Sequence, residues 1–412
     1  MKIKTKSILQ YIFIYLCLLN TSSKVNKMFQ QQIISISLLL CLCVVFFHVA
    51  RLKKKYFYSL LVLFGFLILQ HTLLQKDISI FSVVNILNKF FVAYCAVAIS
   101  KKDFFDRYVK MIVFFALASI IFYFIGISSM NGFLTKILMV NYDSCWTGNI
   151  SYGRFIYHYI PNYSRNVGIF NEPGVFQLFL NVALFILLFW NKKLDMSSIK
   201  RQSSIAILLI AILTAASTAG FLTTLIIIVS YIIKNQELTG KKKALLIVGL
   251  LIFVGAFSQT EFYYKNFASK LSYSNGKFNE GTGNARIASI LIDIQYIIRF
   301  PQGQGFTGAW VNDLGYALQE SGSSVGLTAI VFTYGIPLAM IIYGYYIWAF
   351  KKLANYRIEF WVLLLMFISS FLSQPWVLTP VYLVFFSAAF FIENNKENID
   401  EQFFNIDSSI QC

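Results

Sequence analysis

The sequence predicts an all-α, polytopic integral membrane protein of about twelve transmembrane helices, and three observations predict it. Of 412 residues, 58% are hydrophobic and 13% charged, against about 25% charged in a soluble domain. The mean hydropathy is +0.66. Apolar runs at 33–50, 56–74, 110–130, 173–190 and 324–350 approach the roughly 20 residues a helix needs to cross a bilayer. These runs are continuous rather than alternating, which excludes barrel strands. Lipid offers the backbone no water, so helices are what remains.

The elements follow in order. Spans are read at about 7–20, 33–50, 56–74, 79–100, 110–130, 173–190, 203–217, 219–234, 243–259, 324–350, 358–374 and 376–393. Lys2, Lys4 and Lys6 ahead of an apolar core from Ile8 to Leu19 form a signal-peptide pattern. No clear small-residue cleavage site follows, so we read an uncleaved first span; either reading leaves residue 21 outside. With the N-terminus inside, the cytoplasmic segments hold 23 of the 35 Lys and Arg residues and the external segments 11, with Lys89 alone inside a span. Short basic inside loops obey the positive-inside rule. The stretch Ile205 to Ile233 is read as a hairpin turning at Ser217-Thr218-Ala219-Gly220, because both its flanks, 191–201 and 234–243, are basic.

This topology puts two long loops, about 131–172 and 260–323, on the same outer side. Residues 1–393 then form a single transmembrane domain, and 394–412 a short acidic cytoplasmic tail. Long loops over a helical scaffold are where sites concentrate. The net charge of +17 is explained by orientation, and no nucleic-acid motif accompanies it. Cys17, Cys41, Cys43 and Cys95 fall inside spans, while Cys145 and Cys412 fall on opposite sides. No metal-ligand spacing occurs, and neither metal nor cofactor is expected.

The first loop ends in Arg165-Asn166-Val167-Gly168-Ile169-Phe170-Asn171-Glu172-Pro173-Gly174. Pro173 suits the first position of the next helix, which puts Glu172 near its N-cap. Glutamate is not a preferred cap, but its charge gains from the helix dipole. It reads either as a helix-start residue or as an acid held at the membrane surface. Arg165 reads either as a headgroup anchor or as a site residue.

In the second loop, Ile287, Ile290, Leu291, Ile294, Ile297 and Ile298 make one apolar helical stripe, with Arg286, Ser289 and Asp293 along one side. Phe300-Pro301 stops this helix. It is read as a roof helix, or as one lying on the bilayer surface with Arg286 at the lipid–water boundary.

Taken together, these residues resemble the O-antigen and capsule polysaccharide polymerases of the Wzy type, relatives of the O-antigen ligases. The resemblance rests on Arg165 with Gly168, on Asn171-Glu172-Pro173-Gly174 and on Ser217 to Gly220. It continues with Arg286 ahead of Pro301-x-Gly303-x-Gly305, then Tyr334-Gly335-Ile336. Related ligases often carry a His-Asn pair before the span with the Tyr-Gly-Ile element, where this chain has Gly322-Ser323-Ser324. That departure favours polymerase over ligase.

The resemblance implies a GT-C-like architecture in the bacterial cytoplasmic membrane, with the site facing the exterior. Undecaprenyl-pyrophosphate-linked oligosaccharides would be the substrates, membrane lipids the surroundings and a chain-length regulator protein a partner. Arg286 and Arg165 would hold the leaving pyrophosphate and Glu172 would serve as base. His158, Asp293, Arg299, Gly303 and Gly305 would bind substrate, His158 and Asp293 being weaker candidates for the base. An O-antigen ligase and a lipid-oligosaccharide flippase or transporter are the alternatives, the latter because a charge inside a span, here Lys89, is a functional candidate.

Overall fold

The computed structural model describes residues 2–73, 80–128, 131–138, 141–142, 151–153, 155–161, 163–236, 238–264, 273–274, 277–278, 281–303, 325–373 and 377–391. It is predominantly helical. The helices are α1 (Lys2–Leu19), α2 (Lys24–Met28), α3 (Gln30–Phe46), α4 (Lys54–Leu73), α5 (Ile80–Ser100), α6 (Phe104–Ile127), α7 (Asn131–Leu138) and α8 (Pro173–Phe189). They continue with α9 (Ser198–Ala215), α10 (Thr218–Lys234), α11 (Gly240–Ser258), α12 (Gly281–Arg299), α13 (Gly326–Leu353), α14 (Arg357–Ser373) and α15 (Pro380–Ala389).

Among the described residues, three helical stretches, Ile80–Ile127, Ser198–Ala215 and Gly326–Leu353, are long and apolar enough to cross a membrane. Shorter apolar helices include Gln30–Phe46, Pro173–Phe189, Thr218–Lys234 and Pro380–Ala389. The stretch Ile80–Ile127 is two helices, because Lys101 takes a left-handed φ of 48° at a charged turn, Lys101–Asp103. Leu42 is 66% and Phe46 76% exposed on α3, and large apolar side chains also face outward on α4, α6 and α11. A water-soluble surface does not carry apolar area on this scale; a lipid-facing one does.

The chain forms two compact units. The first comprises 1–111, 292–360 and 375–412. Its central helix is α5, which packs against α1, α3 and α15, while α13 packs against α15 and α4. Polar side chains tie these apolar helices at set heights. Gln10 Nε2 donates to the Ile99 carbonyl at 3.0 Å, Asn88 Nδ2 to Asn20 Oδ1 at 2.8 Å, and Asn20 Nδ2 to Ser37 Oγ at 3.1 Å. In lipid, where apolar contact selects no partner, such bonds and close packing set the register.

The second unit comprises 112–291 and 361–374. Its centre is α8, largely apolar and buried along nearly its whole length, as a fully surrounded helix should be. It packs against both α9 and α10. Truncating Phe179, fully buried and stacked on Phe170 at 4.6 Å, would cost about 3–5 kcal/mol by the usual cavity penalty. Three polar contacts fix the register: Gln177 Nε2 donates to the Ile212 carbonyl (2.8 Å), Asn181 Nδ2 to the Gly220 carbonyl (3.0 Å) and Thr224 Oγ1 to Asn181 Oδ1 (2.7 Å).

The helix break between α9 and α10 falls at Ala216-Ser217, slightly upstream of the expected turn. Ala216 adopts the left-handed region (φ 48°, ψ 46°) and its N–H bonds back to Ile212 and Leu213. Gly220 lies inside α10, where a Cβ would strike the Gln177 side chain, so its small size serves helix packing rather than the turn. The short strands β1 (Asn141–Tyr142), β2 (Ser151–Gly153) and β3 (His158–Tyr159) form an antiparallel sheet in the order β1-β2-β3, with Tyr152 opposite both Asn141 and Tyr159. Leu134 of α7 shares a small core with Tyr157 and Tyr159.

Two spans differ from expectation. The run 324–350 is helical but broken at Gly335 (φ 77°, ψ 166°). The last apolar run yields the ten-residue helix α15, opened by Pro380 at its first turn.

Candidate functional site

The site is built in the second unit, around the turn between α9 and α10. Asn166 anchors it. Fully buried, its N–H bonds to the Thr214 carbonyl at 3.0 Å, and its Nδ2 donates to Ser119 Oγ at 3.0 Å and Thr214 Oγ1 at 3.1 Å. Its Oδ1 accepts from the Gly168 N–H at 3.0 Å. Gly168 itself is left-handed (φ 58°), with the Phe176 ring 2.9 Å from where a Cβ would stand. The chain thus crosses the end of α9 in one conformation and carries Arg165 with it. Arg165 Nε donates to the Ala215 carbonyl (3.2 Å) and Nη1 to the Tyr163 hydroxyl (3.4 Å). A cation at the C-terminal end of α9 satisfies an orphan carbonyl and complements the dipole.

Seven residues on, Glu172 is the N-cap of α8 with extended backbone (φ −137°, ψ 143°), and Pro173 opens the helix, as expected. Its side chain makes no cap hydrogen bond. The carboxylate is therefore not spent on closing the helix.

Arg286, in the first turns of α12, completes the group. Burial is the main influence on it and lowers its pKa from the usual arginine range; the Glu172 carboxylate raises it, and the Arg165 guanidinium lowers it further. An arginine so placed keeps its charge at neutral pH. Both partners come from the end of loop 131–172, while Arg286 comes from loop 260–323. Two arginines and one carboxylate in electrostatic reach carry a net positive charge, suited to an anion of higher charge than the glutamate supplies.

The face of α12 that carries Arg286 is the inner one. Arg286 and Ser289 are half-buried and Asp293 and Tyr296 buried, whereas Leu291, Ile294 and Ile298 of the apolar stripe are exposed. The helix is inside-out relative to one in a soluble protein, as a helix in contact with lipid would be.

His158, in the second unit, is fully buried; its N–H bonds to the Gly168 carbonyl (2.7 Å) and its Nδ1 to the Phe170 carbonyl (2.9 Å). Since a carbonyl only accepts, Nδ1 carries the proton, and the imidazole pins the loop to the strand. Asp293, Arg299 and Gly303 belong to the first unit. Asp293 accepts from Thr328 Oγ1 at 2.5 Å. Arg299 is exposed at the end of α12, its guanidinium 5.3 Å from the Phe300 ring centroid. Gly305 lies outside the described residues, as do Gly322-Ser323-Ser324.

Gly303 (φ 86°) meets the broken helix α13. A Cβ on it would strike the Gly335 N–H, and one on Gly335 would strike the Gln302 carbonyl group. The Ile336 N–H donates to the Pro301 carbonyl at 2.9 Å. Pro337 has no N–H for the Thr333 carbonyl four residues earlier. Gln70 Nε2 takes that role at 3.3 Å, and also donates to the Gln302 carbonyl at 2.7 Å. Sequence reasoning missed both Gln70 and Asn166. A lone amide in an apolar run was the available signal for Gln70; Asn166 carried none beyond its place between Arg165 and Gly168.

Neither a protein-family profile nor a curated protein matches this chain. Among the described residues, no group of three or more His, Cys, Asp or Glu side chains could hold a metal ion.

Proposed function

We propose that this protein is a polysaccharide polymerase of the bacterial cytoplasmic membrane, joining undecaprenyl-pyrophosphate-linked oligosaccharide repeat units at the outer face. The observation that carries the reading is the grouping of Arg165, Glu172 and Arg286, drawn from two separate loops, in a chain otherwise built of apolar helices. Glycosyl transfer from a lipid pyrophosphate has three demands. The terminal hydroxyl of the acceptor unit attacks the anomeric carbon. The bond from that carbon to the pyrophosphate oxygen breaks, and the pyrophosphate leaves with the electron pair. A base takes the hydroxyl proton. Arg286 and Arg165 would stabilise the charge on the leaving group as it develops. Glu172, free of capping duty, would take the proton. No metal is required in this scheme, because guanidinium groups supply the positive charge.

The test is chain-length distribution from purified protein given lipid-linked repeat units. Glu172→Gln should abolish extension while expression and unfolding midpoint stay normal. Extension at the wild-type rate by that variant would reduce Glu172 to a helix-start residue and remove the base from the scheme.

A further inference from the structure

Lys89 is the tenth of the 21 residues of α5. At 1.5 Å per residue its Cα lies about 13.5 Å from the start of the helix, near the middle of a span. The interhelical network beside it does not use it. Asn88 points elsewhere and binds Asn20, which in turn binds Ser37. Among the described residues Lys89 has no carboxylate partner; the ion pairs there are Arg107 with Asp103 and Lys110 with Asp106. Yet its side chain is half-buried, so it meets the surface of its unit.

Ser82 and Asn85 stand seven and four residues before it, on the same helix face, and both are half-buried too. The stem of a helical lysine leans toward the helix N-terminus and carries its ammonium to the polar boundary on that side. Here that direction runs along Asn85 and Ser82. The face therefore carries an ammonium, an amide and a hydroxyl in a row. An unpaired ammonium at this depth is costly in hydrocarbon and calls for an anion. At the polar boundary to which the ammonium reaches, the anion a membrane supplies is phosphate, for which lysine serves as a point charge.

We propose that the Ser82–Asn85–Lys89 face of α5 binds the phosphate of a lipid headgroup. The proposal rests on α5 alone and stands whether or not the polymerase reading holds. Its chemistry fits two sources, a polyprenyl phosphate and an anionic phospholipid.

The experiment is native mass spectrometry of the full chain, purified in detergent and carrying Arg286→Ala so that the loop arginine does not contribute. It is titrated with polyprenyl monophosphate, with phosphatidylglycerol and with diacylglycerol as the neutral reference. A phosphate lipid should stay bound and diacylglycerol should not. Adding Lys89→Gln should weaken retention at least tenfold, and Lys89→Arg should preserve it. Removing a charge from a span does not hinder insertion, and the unfolding midpoint of the Gln variant verifies the fold. Retention of polyprenyl phosphate alone would assign the site to a carrier lipid; retention of both would assign it to headgroup phosphate in general. Equal retention with and without Lys89, or equal retention of diacylglycerol, would overturn the proposal.

Discussion

The motif residues meet in two places, and the two are held by different forces. In the second unit, the charges of Glu172 and Arg165 both act on Arg286, and Glu172 makes no capping bond. In the first unit, Pro301 to Gly303 and Tyr334 to Ile336 meet backbone against backbone, with glycine on both sides and Gln70 bonding to both segments. The first arrangement is a grouping of charged side chains; the second is built of backbone contacts and one shared side-chain amide. One set of neighbouring motifs thus divides into residues grouped by charge and residues that hold a broken helix in register.

Substitutions can break that division. The largest effect is expected at Gly335. Its φ of 77° with ψ of 166° is open essentially to glycine alone, and a Cβ there would displace Gln302. Backbone strain of about 1–3 kcal/mol and overpacking of about 1–3 kcal/mol together put Gly335→Ala near 4 kcal/mol of lost stability. Thermal unfolding in detergent reads this directly, and an unchanged midpoint would show that the two segments do not meet.

Arg286→Ala should do the reverse. Losing a contact made chiefly in the transition state costs roughly 2.7–4 kcal/mol, or about 10²–10³ in rate, while the unfolding midpoint stays put. Arg286→Lys should also be clearly impaired, because an ammonium lacks the planar fork. A variant whose midpoint falls as far as its rate would move Arg286 into the structural class.

Gln70→Leu is expected to be intermediate. It leaves the Thr333 and Gln302 carbonyls without their amide donor, at about 1–3 kcal/mol for a buried group left unsatisfied. Unfolding of the single and double variants with Gly335→Ala should show strong coupling; simple additivity would place the two residues in separate structures.

The smallest effect belongs to Arg299→Lys. An exposed side chain at a helix end should change stability by less than about 0.5 kcal/mol and leave chain length unaltered.

Much of the helix order could be read in advance because hydrophobic runs, prolines and charge runs are local signals. Pro173 at the start of α8 and the break between α9 and α10 are examples. The break was misplaced by one or two residues because Gly220 looks like a turn glycine. Its role, making room for Gln177, belongs to another helix. For His158, the partner Phe170 lies twelve residues away, and only the fold shows its Nδ1 committed to that carbonyl.

By itself, then, the sequence determined that the chain is helical, that apolar runs long enough to cross a membrane recur along it, and which few charged residues stand at the ends of those runs. Chain-local physics suffices for that: helix length against bilayer thickness, proline's missing donor, and the cost of charge in lipid. Tertiary structure alone decided that Arg286 shares a neighbourhood with Glu172 and Arg165, more than a hundred residues earlier, while Asp293, seven residues further along the same helix, turns to Thr328. It also decided that Gln70 supplies the donor Pro337 lacks. Each of these contacts joins residues distant in the chain, and no local pattern records which distant groups will satisfy one another.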